Sequence, residues 1–123
     1  MATSRVEQLN RILRGLQTAS PDVEASALIS EDGLMIASAL PQHFDESRVA
    51  GMTATLLSLG TRASTELERG SVKEVLVRGD DGYAVMLAAK SGTLLLALAT
   101  HQAKLGLIFL DMRRTVTDID RVL

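Results

Sequence analysis

Apolar positions near the N-terminus recur at helical spacing. Val6, Leu9, Ile12, Leu13 and Leu16 share one side, and Glu7, Arg11 and Arg14 fall on the other. Thr3 or Ser4 supplies the cap, Glu7 completes a capping box with Ser4, and Pro21 stops the helix. The pattern then changes to strand. Glu24 to Glu31 and Leu34 to Ala39 flank Asp32-Gly33, a pair suited to the positive backbone angles of a tight two-residue turn. Pro41 ends the second strand, and Asp45 or Ser47 caps a long helix running to about Gly70. Three further runs, Val72 to Arg78, Tyr83 to Ala89 and Thr93 to Ala99, predict an antiparallel meander. The last two are apolar almost throughout, so both of their faces are expected to be buried, with helices on both sides of the sheet. Val72 to Arg78 carries Lys73 and Glu74, as befits an edge strand. A final helix from about Ala103 to Val122 aligns Leu105, Ile108, Phe109, Met112, Val116, Ile119 and Leu123, leaving Leu107 and Leu110 pointing away.

The order is helix, hairpin, helix, three-stranded meander, helix. It predicts an α/β (α+β) fold: a five-stranded antiparallel sheet sandwiched by helices on both faces, in one domain spanning residues 1–123.

The middle helix is the informative segment. Val49 to Thr61 contains no charged side chain, whereas a helix lying on a sheet normally buries one stripe and turns charge outward. At about 100° per residue, Val49, Met52, Leu56, Leu59, Ala63 and Leu67 form the expected core face. Ala50, Thr53, Leu57, Thr61 and Ser64 form a second stripe. A third stripe holds Gly51, Ala54, Thr55, Ser58 and Arg62, small and almost uncharged. Small side chains admit another backbone closely and avoid the desolvation of charge, so this helix is expected to be covered on more than one side. The second stripe, with Val72, Val75 and Val77 of the edge strand, is the expected homodimer interface, where a two-fold contact uses one patch twice. The third stripe is the expected partner platform. The end of the molecule from His101 to Leu110 is the competing site.

Composition narrows the function. In 123 residues the charged fraction is 23% and the net charge −2, which gives no basic footprint and argues against nucleic acid. The absence of cysteine removes disulfides, thiol catalysis and Cys-ligated metals. The first residues lack the apolar run of a leader, and no apolar stretch approaches the roughly 20 residues of a spanning helix. A cytoplasmic domain without membrane insertion is expected.

Catalytic patterns are missing. His43 and His101 stand at no zinc-ligand spacing, and adjacent Asp80 and Asp81 between glycines make a solvated turn and not a calcium loop. There is no phosphate-binding GxxxxGK[ST] loop and no GxSxG nucleophile motif. Arg48, Arg62, Arg69, Arg78, Arg113 and Arg114 read as surface charge. The expectation is no enzyme, no cofactor and no metal.

The sequence resembles the roadblock family. The resemblance rests on the element order, on VAGM from Val49, on GYAVMLAA and GTLLLALA as paired strands, and on KLGLIFLDMRR from Lys104. That family includes roadblock-type dynein light chains, lysosomal scaffold subunits and MglB-type bacterial regulators of Ras-like GTPases, and it is similar in fold to profilin and longin domains. The resemblance implies a dimer with paired middle helices and joined edge strands. It implies a binding module for a small Ras-like GTPase, with a structural scaffold or motor subunit as the alternative and a small-ligand sensor as a third reading. Lacking the long terminal extensions of some members, the chain is most similar to the stand-alone prokaryotic ones.

Overall fold

In the computed structural model, which describes residues 4–123, Ser4 caps the first helix and its hydroxyl accepts the amide of Glu7 at 3.1 Å. Thr3, the other candidate cap, lies outside the described residues. Helix α1 (Arg5–Ala19) ends before Pro21 and buries Leu9, Leu13 and Leu16. Strand β1 (Val23–Ser30) turns into β2 (Met35–Ser38) through four residues, a wider connection than the expected two-residue turn. Gly33 takes the left-handed angle there (φ 85°), and both the Ser30 carbonyl and its hydroxyl hold the loop. A bulge between Leu28 and Ile29 re-sets the register.

Asp45 caps α2 (Glu46–Glu66), its carboxylate accepting the Arg48 amide at 3.1 Å. The helix stops short of the expected Gly70 because Glu68 (φ 58°) and Gly70 (φ 86°) reverse the chain. Strand β3 (Val75–Gly79) therefore starts three residues later than expected, and Val72 stays outside it. Strands β4 (Gly82–Ala88) and β5 (Thr93–Ala99) and helix α3 (Leu105–Val122) complete the chain.

The sheet order is β2-β1-β5-β4-β3, and every neighbouring pair is antiparallel. β5 is central and buried on both faces, as its unbroken apolar run predicts. Its alternate residues feed two cores. Leu95 and Ala97 join Leu9, Leu13, Met112 and Ile119 under α1 and α3. Leu94 and Leu96 join Ala27, Ile29, Met86 and Leu57 under α2. The expected fold class and element order describe this architecture.

Candidate functional site

On α2 the buried residues are Ala50, Thr53 and Leu57, at 0%, 2% and 4% exposure, facing the sheet. This corrects the stripe assignment. Met52 and Leu59, expected in the core, are each 53% exposed, Leu67 is 68% exposed, and Ala63 is exposed as well. Val49 and Leu56 sit half-buried at the border. The reason is space. The sheet surface beneath carries Ile29, Met86, Leu94 and Leu96, so the helix packs on it through Ala50 and Thr53 with Leu57 as its one large buried side chain, and Met52 and Leu59 turn outward. At Gly60 the helix leaves no room for a Cβ beside Val75.

The expected dimer set is therefore divided by the fold. Ala50, Thr53 and Leu57 belong to the protomer's own core and offer nothing to a second chain. Thr61 is exposed but its hydroxyl donates to the Leu57 carbonyl at 2.9 Å. Ser64 is half-buried and donates to the Gly70 carbonyl, closing the helix end. Val72 precedes the strand and packs on the α2 core, as does Val75. Val77 and its neighbour Leu76 are open, at 43% and 41%. β3 is a sheet edge, with β4 as its one partner among the described strands.

The expected partner platform is the wall of a groove. Gly51 and Ala54 are half-buried, while Thr55, Ser58 and Arg62 are exposed. The opposite wall is the β1–β2 turn, Glu31 to Gly33, and a Cβ on Gly33 would lie 3.5 Å from Gly51 Cα. The groove holds about 420 Å³ and runs beside a second hollow of about 360 Å³ floored by Leu57 and Leu94. Thr55 donates its hydroxyl to the Gly51 carbonyl at 2.9 Å, and Arg62 pairs with Glu66 at 3.6 Å across open solvent. The helix wall is small and uncharged apart from Arg62 at its end, while the turn wall brings the carboxylates of Glu31 and Asp32 to the groove.

The other candidates lie apart from α2. Leu107 and Leu110 project from α3 at 57% and 41% exposure, away from its buried stripe as the spacing predicts. His43 stacks on Phe44 with ring centres 4.6 Å apart, and His101 borders a hollow with Arg78, Asp80 and Tyr83. Among the described residues no three His, Asp or Glu side chains gather as a metal site, and no helix is long and apolar enough to cross a membrane.

Residues 9–99 match the family model described as the Roadblock/LC7 domain. The chain belongs to the Roadblock/LC7 domain family. This roadblock domain is 30% identical over 111 residues to an uncharacterized protein of Methanocaldococcus jannaschii, covering 90% of the chain and 92% of that protein. The crystal structure of a Roadblock/LC7 domain from Streptomyces avermitilis superposes with a TM-score of 0.83 at 26% identity, covering 91% of this chain and 94% of that one. Myxococcus xanthus MglB superposes at 0.85 with 17% identity, covering 99% and 92%. The roadblock fold here is also profilin-like: Schizosaccharomyces pombe profilin superposes at 0.66 with 11% identity, over 97% and 98% of the two chains.

Large apolar residues on the back of α2 are what the sequence reading missed as surface. Their size argued for the core. The available signal was the run of Ala, Thr and Gly at the alternative spacing, which is how a helix approaches a crowded sheet.

Proposed function

We propose that this roadblock domain is a non-catalytic cytoplasmic adaptor that pairs with itself and binds a small Ras-like GTPase, modulating its GTP hydrolysis. The observation that supports the reading is exposed apolar surface together with an open sheet edge: Met52 and Leu59 on the back of α2, and Leu76 and Val77 on β3, whose outer edge has no partner among the described strands. The Gly60–Val75 contact sets helix and strand side by side, so one two-fold axis brings both against their copies. Pairing extends the sheet across β3 and covers side chains that otherwise lie in water. The groove along Gly51, Ala54, Thr55, Ser58 and Arg62 then receives the GTPase, with the small residues admitting a backbone segment and Arg62 steering from the rim.

Sedimentation equilibrium at micromolar concentration tests the first half. The wild type is expected at twice 13.2 kDa and the Met52→Glu/Leu59→Glu variant at the monomer mass; a monomeric wild type overturns the dimer. For the second half, phosphate release by a purified Ras-like GTPase is followed with and without the domain. Changed turnover supports the regulator. Tight binding with unchanged turnover supports the scaffold reading, and no binding removes both.

A further inference from the structure

The chain's charge is unevenly divided between the two sides of the sheet. Helices α1 and α3 pack side by side on the face opposite α2. Together they carry six arginines against four carboxylates, while the rest of the chain has seven basic and eleven acidic side chains. Two of the four carboxylates are engaged internally. Asp111 accepts the hydroxyl of the buried Ser20, and Asp120 accepts the amides of Lys90 and Ser91 at 3.2 and 3.1 Å. Arg11, Arg14, Arg113 and Arg114 are exposed, and the two salt bridges among the described residues involve none of them. An acidic protein thus presents a cationic face.

That face also has an apolar element. Leu107 and Leu110 stand exposed on α3, and Leu107 borders a hollow of about 160 Å³ between the end of α1 and the start of α3. Ala19, Pro21, Lys104 and Ile108 line it further, with Asp22 at the rim and Asp111 turned to Ser20. The hollow is the size of one side chain, and the arginines follow from it along the helices.

We infer that the α1–α3 face binds an acidic amphipathic segment of a partner protein, which seats an apolar side chain beside Leu107 and Leu110 and lays its carboxylates along Arg113, Arg114, Arg11 and Arg14. The complementarity is of charge and of shape together. A uniformly anionic bilayer is the poorer match, because Glu7, Asp22 and Asp118 are interspersed with the arginines and would meet its headgroups. A peptide places its charges at intervals and avoids them. The two exposed leucines are enough to fix one side chain and too few to enter acyl chains. Arginine suits this contact because its planar fork pairs with carboxylates.

A displayed library of random segments of about 20 residues, the length of a 30 Å helix, tests this on the full chain. Wild type is expected to enrich net-acidic segments with spaced Leu, Ile or Met. Exposed Arg113→Glu/Arg114→Glu is expected to weaken an enriched synthetic peptide roughly tenfold or more, the equivalent of about 1.4 kcal/mol. Leu110→Ser tests the apolar half without changing charge and is expected to weaken the same peptide. Circular dichroism and the oligomeric mass of each variant are expected to match wild type. Enrichment with no acidic bias, or equal binding by the charge-reversed variant, overturns the inference. Flotation with vesicles of equal phosphatidylglycerol and phosphatidylcholine, lost in the charge-reversed variant while no peptide binds, moves the face to a membrane and also overturns it.

Discussion

Val75 on β3 fills the notch that Gly60 leaves in α2: a Cβ built on Gly60 would meet Val75 Cγ2 at 2.5 Å. Valine is β-branched, so its χ1 is restricted and it swings aside at a cost. Gly60→Ala therefore sets a helix-propensity gain of about 1 kcal/mol against an overpacking cost of about 1–3 kcal/mol. The expected net is a loss of roughly 1 kcal/mol, lowering the thermal midpoint by about 3–5 °C. Gly15→Ala is the control, since nothing lies within 4 Å of its Cβ position; it is expected to stabilise by about 0.5–1 kcal/mol. Equal shifts in the two variants would show that β3 does not press on α2.

Leu57 and Leu59 stand two residues apart on α2 and differ in what they bury. Leu57→Ala removes a core side chain that is 4% exposed and is expected to cost about 2–4 kcal/mol in urea denaturation. Leu59→Ala, at 53% exposure, is expected to cost under about 1 kcal/mol in the monomer. Its effect is instead expected in the sedimentation of concentrated samples. The reverse ranking would restore the stripe assignment read from residue size.

Asp120 ties the far end of α3 to the β4–β5 turn by accepting the Lys90 and Ser91 amides. Asp120→Ala is expected to cost about 1–2 kcal/mol, the lower range for a charged acceptor near solvent. Amide exchange at Lys90 and Ser91 is expected to accelerate first. Unchanged protection there would rule the tie out.

Asp45 holds the first turn of α2 through the Arg48 amide. Asp45→Ala is expected to lose about 1 kcal/mol, with Asp45→Ser recovering most of it. Chemical denaturation of the three proteins side by side is sufficient.

Elements and topology were legible because the periodicities are clean. The continuous apolar runs of β4 and β5 announced a sheet covered twice, and Ser4 and Asp45 announced helix starts. The faces of α2 were not legible, because every one of its stripes is uncharged from Val49 to Thr61. Residue size then decided the assignment, and size misled: Ala50 and Thr53 face the sheet beside Leu57, while the large Met52 and Leu59 face away from it. The groove was half legible. Its small residues do fall together on one wall, as their helical spacing predicts, but the β1–β2 turn that forms the other wall comes from another part of the chain, which spacing along a helix does not reveal.

The central position of β5 has a consequence for how the chain is made. β1 finds its longer partner only when residues 93–99 arrive, since Val23 to Ser30 pair with Ala99 to Thr93. Until then Ala27, Leu28 and Ile29 can lean only on the four residues of β2. The nascent chain thus carries an open strand while residues 31–92 are made, a species prone to pairing with a neighbour. β3, β4 and β5 are joined by short local turns and are expected to form first, while closure against β1 spans most of the chain and is expected to be the slower step. A ribosome pausing shortly before Thr93 would leave both cores without their shared floor, and release of the last strand and α3 completes them together.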